Sequence, residues 1–488
     1  MIPNGKITFP PYEPDKAPYN VSASNVALNG LPTADGWGAM PDFVEVSEAL
    51  PAVCLGSIGA RDTLGNFHIF AGTSDNLFKL NTTSTPYTWD EISKSTDAYS
   101  LPSGDRWSSV QYGNSVYFAG LGDTIQSYDL SSSSDFADLS NAPTCRYLSV
   151  FGDFLVALHL DSNPDLAQWC GVNAPTQWTI GLRGADQQSM PGGLGEIMGA
   201  IGDPRGGVII QRNAMQYMQF APSSGFTFQR STANPARGTM SPFSIAQYGP
   251  NQFAYLSEDG FFANVNGTPI GAERVDKTFL ADLDEDYIND VQAAVDPFRT
   301  IIWWRYFSVD ATYKLIGWNW NLNRWCHSDQ QLQEARGLTK AAVPWDGLDA
   351  LYATIDDAVV PFDSRLFQAG APTFAAFTTD NKLAFATGGN KALTLETGAK
   401  EFRPGRRTFV NGCKLQGDAS DFTIQAGIKQ HHGDGTTWLT AVNPETSDLF
   451  VPIEAEGALH QMRLNVAAGA DWTVASNILV QHNDGGEI

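Results

Sequence analysis

The sequence predicts an all-β chain, a β-propeller of about seven blades followed by a C-terminal antiparallel β-sandwich. Three observations predict it. A strand–turn–strand–turn–strand unit recurs seven times between residues 44 and 370. Its hairpins start roughly 40–55 residues apart, the period of four-stranded propeller blades. Gly (46) and Pro (27) are frequent, as many short strands need many turns. A chain of 488 residues also exceeds what one compact core holds, so two or three domains are expected.

Residues 1–45 are rich in chain breakers (FPPYEPDKAPYN, then GLPTADGWGAMPDF). They read as an extended arm that crosses the propeller, or that donates a strand, DFVEV (42–46), to close its ring. Residues 46–373 carry the blades. The hairpins are CLGSIGARDTLGNFHIFAG (54–72), SVQYGNSVYFAG (109–120), LSVFGDFLVAL (148–158), MGAIGDPRGGVIIQ (198–211), IAQYGPNQFAYLS (245–257), AAVDPFRTIIWW (293–304) and AAVPWDGLDALYA (341–353). Third strands follow at 76–81, 124–130, 166–172, 214–220, 260–266, 314–320 and 365–370. One small twisted sheet cannot bury both faces alone; radial stacking buries them against each other and leaves short edges. Stacked sandwiches are the competing arrangement. The tryptophans Trp303, Trp304, Trp318 and Trp320 read as core.

One segment breaks the pattern. Val275, Phe279, Leu283, Tyr287 and Val291 recur every four residues, the spacing of one helix face. Asp282, Asp284, Glu285, Asp286 and Asp290 fall mainly on other faces. They form either the solvated side of a helix packed on the propeller or an acidic patch facing a lumen or a neighbouring subunit. From residue 374 to 488 the texture changes to longer alternating strands across Gly/Asp turns (408–419, 421–442 and 460–482), which reads as the sandwich.

The totals restrict function. A net charge of −23 opposes affinity for nucleic acid, which needs clustered Lys and Arg, although an acidic wall suits a passive DNA conduit. Five scattered cysteines (Cys54, Cys145, Cys170, Cys326 and Cys413) make neither a zinc site nor a disulfide framework and suit reducing conditions. The N-terminus lacks the apolar core of a signal peptide, and no apolar run is long enough to span a bilayer; a soluble product is expected.

No nucleophile elbow, P-loop, dinucleotide fingerprint or HExxH occurs, so no catalytic residue, cofactor or metal is assigned. His431 and His432 are adjacent, but a strand would point them to opposite faces, and an exposed hairpin tip is the simpler reading. HHGDGTTW (431–438) and SEDGFF (257–262) miss the spacing of the sialidase Asp-box and read as Asp-Gly turns. Arg403, Arg406 and Arg407 form the dense basic cluster, either a linker salt-bridged to the acidic body or a contact site for phosphate or sulfate. Among 53 acidic residues nothing singles out a carboxylate pair for glycoside hydrolysis.

The run from Leu194 to Phe279 reads LGEIMGAIGDPRGGVIIQRNAMQYM, then FTFQRSTANPARGTMSPFSIAQYGPNQFAYLSEDGFFAN, then IGAERVDKTF. It resembles the tail-hub or nozzle (packaged-DNA stabilisation) proteins of short-tailed bacteriophages. SEDGFFANVNG (257–267) with the helix pattern at 275–291 carries most of the likeness, which covers residues 30–370 by pattern and the C-terminus by architecture. The resemblance implies a virion protein, assembled in the host cytoplasm, whose hexameric ring lies below the portal and adaptor. Such a ring retains packaged DNA, conducts it during ejection without binding it specifically, and anchors tail fibres or spikes. The family offers no catalytic residues. A propeller that binds or cleaves carbohydrate is the alternative; it predicts a monomer whose central pocket gathers carboxylates, arginines and aromatics. A receptor-binding fibre, ordinarily a trimer, is the third reading.

Overall fold

Strands buried on both faces set the architecture, because successive side chains point to opposite sides of a sheet. Within Ser115–Ala119, Val116 and Phe118 join an apolar core with Phe70, Tyr128 and Phe136, while Tyr117 and Ala119 join another with Leu155 and Ala157. Phe154–Leu160 repeats the division: Leu155 and Ala157 face that second core, and Val156 and Leu158 face a third with Ile209 and Met218. Next along the chain, Val208 and Ile210 pack with Phe253 and Tyr255. Each sheet thus lies between two others. The stack is a β-propeller.

A computed structural model describes residues 4–17, 22–95, 99–339 and 372–487. Six sheets are separate four-stranded units. Five of them are simple antiparallel meanders, starting at Gly56–Arg61, Ser108–Tyr112, Cys145–Phe151, Ile197–Asp203 and Ala246–Gly249. Tight turns allow this. Gly113 (φ 61°) and Gly152 (φ 55°) sit first in two-residue hairpin loops, where a side chain would be strained. The sixth sheet combines Leu332–Thr339, Pro372–Thr378 and Lys382–Phe385 with Val44–Ala49 from the other end of the chain. A further meander, from Gln292–Asp296 to Arg324–Ser328, opens a nine-stranded sheet that continues through Ala27–Leu28 into Leu393–Glu396, Leu459–Val466, Phe422–Lys429 and Thr437–Trp438.

Three expectations change. Six of the expected hairpins pair as read. The seventh, 341–353 with its third strand at 365–370, lies outside the described residues; the pairing strands here are Leu332–Thr339 and Pro372–Thr378. The boundary expected at 373 falls inside Pro372–Thr378, and the propeller strands run on to Phe385. Residues 1–45 are more than an arm: the strand expected at 42–46 is Val44–Ala49, paired with Lys382–Phe385, while Asn4–Thr8 pairs with Ala475–Glu487, and Gly30–Thr33 with Gly36–Ala39 belongs to the same seven-stranded sheet. The single helix expected over 275–291 is two pieces, an α-helix at Asp276–Asp282 and a 3-10 helix at Glu285–Asp290. The break has a cause. Leu283 turns extended (φ −71°, ψ 128°) so that Asp284 N can donate to Phe307 O at 3.0 Å, and Val309 N donates to Asp282 O at 2.9 Å.

Candidate functional site at the propeller centre

The first strand of each meander lies at the hub, where one of its edges has no partner strand within its own sheet. Backbone polar groups there need other partners. Side chains supply them across neighbouring sheets. Ser109 Oγ donates to Ser57 O (3.3 Å), Leu148 N to Ser108 Oγ (3.0 Å), Gln247 Nε2 to Gly202 O (3.2 Å) and Ala335 N to Gln292 Oε1 (3.1 Å). At Gly202 the strands approach so closely that a Cβ would collide with Val150 O.

These strands enclose a cavity of about 450 Å³. Its lining includes Ser108, Gln111, Ser149, Gln247, Gln292, Glu334 and Arg336, with Arg106 and Trp107 just ahead of one first strand. Glu334 is fully buried. It accepts from Ser57 Oγ at 2.9 Å and from Gln292 Nε2 at 3.4 Å, and the Cys54 thiol lies 2.7 Å away. Burial first, and then the Glu334 carboxylate, push the Cys54 thiol well above its ordinary range, which keeps it protonated and unreactive.

An ion-pair brace lies beside the cavity. Arg106 Nε and Nη2 reach Asp290 Oδ1 at 2.9 and 2.6 Å, and Arg106 Nη2 also donates to Gln333 O at 3.2 Å. Arg305, fully buried, reaches the same Asp290 Oδ1 at 2.7 Å and lies 4.4 Å from the centre of the Tyr313 ring. Burial alone would raise the Asp290 pKa, but Arg106 and Arg305 outweigh it and hold the carboxylate below its usual range. Burial likewise opposes the charge on Arg106, and Asp290 and Glu334 reverse that effect. Arg146 Nε pairs with Asp105 Oδ1 at 3.1 Å.

Of the acidic run singled out in the sequence, Asp290 reaches this brace, and the other residues lie elsewhere. Asp282 turns inward and accepts from Tyr306 Oη (2.8 Å), Ser308 Oγ (2.7 Å) and Lys314 Nζ (3.1 Å). Asp284 caps the 3-10 helix by accepting from Asp286 N at 3.1 Å. Glu285 and Asp286 are exposed. The acidic run therefore divides between internal partners and solvent. Arg403, Arg406 and Arg407 sit at the turn into Arg406–Gly417, with Arg406 opposite Glu487 in the strand register. His431 and His432 are exposed in a turn where His431 N donates to Asp434 Oδ2 at 2.8 Å. None of these residues lines the central cavity.

No protein-family model matches this chain, and no curated protein matches it. Solved structures do. The chain is similar to the computationally designed Ika8 protein, at 11% identity and a TM-score of 0.37, covering 70% of this chain and 98% of that one. It is similar to Kluyveromyces lactis Hsv2 at 9% identity and a TM-score of 0.29, covering 69% and 91%. The exo-beta-1,3-galactanase of Phanerochaete chrysosporium aligns at 8% identity and a TM-score of 0.25, covering 90% and 100%. At such identities and scores the likeness carries no functional argument.

Among the described residues no group of three His, Cys, Asp or Glu side chains is placed to hold a metal ion, and no helix is long and apolar enough to cross a membrane. Sequence reasoning missed Glu334 and Arg336. A signal was present: two charged residues two apart in LQEARGLT (332–339) point to one face of the strand.

Proposed function

We propose that this chain is a structural subunit of a phage tail tube, a nozzle or hub ring below the portal and adaptor whose propeller serves as wall and carries out no reaction. The observation that supports this reading best is the bracing of the hub. Arg106 and Arg305 converge on Asp290, Arg146 pairs with Asp105, and Glu334 gathers Cys54, Ser57 and Gln292. Those bonds tie strands of different sheets to one another and to the segments that connect them, which stiffens the ring and engages its charged groups.

In this reading the propeller has seven blades, and the meander from Gln292 to Ser328 is the one that extends into the nine-stranded sheet. The seven- and nine-stranded sheets form a sandwich around an apolar core that includes Val410, Cys413, Ile478 and Val480 from one and Ile424, Met462 and Leu464 from the other. Six copies, each of net charge −23, surround a DNA path with carboxylates that repel phosphate and keep the strand sliding. Glu285 and Asp286 are the exposed acids of the helical segment available to such a lumen or to a neighbour. Ring closure requires head-to-tail contacts between subunits. Adaptor, portal and tail fibres or spikes are the partners, and the virion is the location.

A glycan-cleaving propeller needs two opposed carboxylates. Among the described residues lining the central cavity the carboxylate is Glu334, already engaged. Negative-stain images of the purified chain mixed with phage portal–adaptor connectors test the proposal. Sixfold rings continuing the connector into a tail-like stack are expected. A chain that stays monomeric and leaves the connectors bare overturns it.

A further inference from the structure

Arg336 stands apart from the other arginines near the hub. Arg106, Arg146 and Arg305 each pair with a carboxylate. Arg336 is partly buried and lines the central cavity, yet among the described residues its guanidinium has no hydrogen-bond, ion-pair or ring partner. A guanidinium carries five donors and always a charge. Leaving it partly desolvated without a counter-charge is unfavourable. Carboxylates outnumber cations in this chain, 53 to 30, so an internal partner was the easier arrangement.

Two further donors face the same space. Ser149 is 7% exposed, lines the cavity and makes no side-chain hydrogen bond among the described residues. Ser108 Oγ accepts from Leu148 N at 3.0 Å, which leaves its own proton to donate. The carboxylate of the cavity, Glu334, is taken up by Ser57, Gln292 and Cys54. Among the residues lining this cavity, Arg336 is the cation left without a counter-charge, and the complement it lacks is an acceptor with negative charge.

We propose that the central cavity binds a small oxyanion, a phosphate or carboxylate group, with Arg336 as its charge partner and Ser108 and Ser149 as hydroxyl donors. A volume of about 450 Å³ lies within the rough range of 300–1,000 Å³ for small-molecule sites, so the anionic group can carry a body of modest size. The inference does not depend on the tail-tube reading.

Titration calorimetry of the full chain against inorganic phosphate, and separately against citrate, tests it. Saturable binding of either anion is expected, and which one binds more tightly identifies the source of the oxyanion. Arg336→Gln is expected to weaken that binding about tenfold or more, the usual effect of losing a charge-assisted hydrogen bond. A melting temperature unchanged in the absence of anion shows that the variant folds. Should Arg336→Gln fail to fold, Arg336→Lys and Ser149→Ala are read instead, and each is expected to bind more weakly than the natural chain. Failure of both anions to bind the natural chain overturns the proposal, as does binding to these variants that is as tight as to the natural chain.

Discussion

Substituting Asp290→Asn tests the hub brace directly. The natural carboxylate faces two guanidiniums, Arg106 at 4% exposure and Arg305 at 0%, with contacts of 2.6 to 2.9 Å. The asparagine keeps an oxygen acceptor but removes the charge, so two buried cations are left facing each other. Removing one partner of a buried pair costs about 3–5 kcal/mol. The Asp290 side chain keeps 21% of its exposure, which lets water screen part of the field and places the expected loss near the lower end, about 3 kcal/mol. Against a total stability of roughly 5–15 kcal/mol that is a large fraction. Guanidinium chloride unfolding followed by tryptophan emission reads it as a lower midpoint. Asp286→Asn, at an exposed position, is the control and should stay within about 0.5 kcal/mol of the natural chain. The same brace predicts acid sensitivity. Because the Asp290 pKa is depressed in the fold, its stabilisation is present above the ordinary carboxylate range and is lost as pH falls through the folded value. An Asp290→Asn chain as stable as the Asp286→Asn control would refute the reasoning.

Three further outcomes are expected. Asp276, buried between Gly260 and Gly271, has its pKa raised to about 7, by burial first. A carboxylate with a raised folded pKa loses stability as pH climbs from its unfolded value toward 7, so Asp276→Asn should flatten the melting temperature across that window; an unchanged slope counts against it. His460, held by Thr408, has its pKa lowered to about 4, again chiefly by burial. Its contribution is complete above the unfolded histidine value of about 6.5 and is lost as pH falls towards 4, so His460→Gln should reduce the pH dependence of acid unfolding monitored by circular dichroism. Phe118, fully buried with its ring centre 5.4 Å from that of Phe136, joins two adjacent sheets. Phe118→Ala should cost about 3–5 kcal/mol in denaturant unfolding.

Local order was legible from the residues, because strand alternation and turn chemistry depend on near neighbours. Val116 and Phe118 against Tyr117 and Ala119, with Gly113 at the preceding turn, suffice to write a hairpin buried on both faces. The same period-four signal at 275–291 identified a helical segment, but the break at Leu283 depends on backbone bonds to Phe307 and Val309 that no local pattern announces. Nor could sequence distinguish Asp282, bound to Lys314 and Tyr306, from exposed Asp286 four residues on.

The sequence by itself therefore determined the strands, most of the hairpins and the acidic balance of the surface. The strand donated near residues 42–46 was also legible, but tertiary structure alone decided that its partner is Lys382–Phe385, and that Cys54 meets Glu334 across 280 positions of chain. It also decided that Arg336 faces a cavity among unmatched hydroxyl donors. Ring closure is the physical reason. Partners at the hub are chosen by which first strands become neighbours, and that depends on the angle and number of stacked sheets rather than on residues adjacent in the chain.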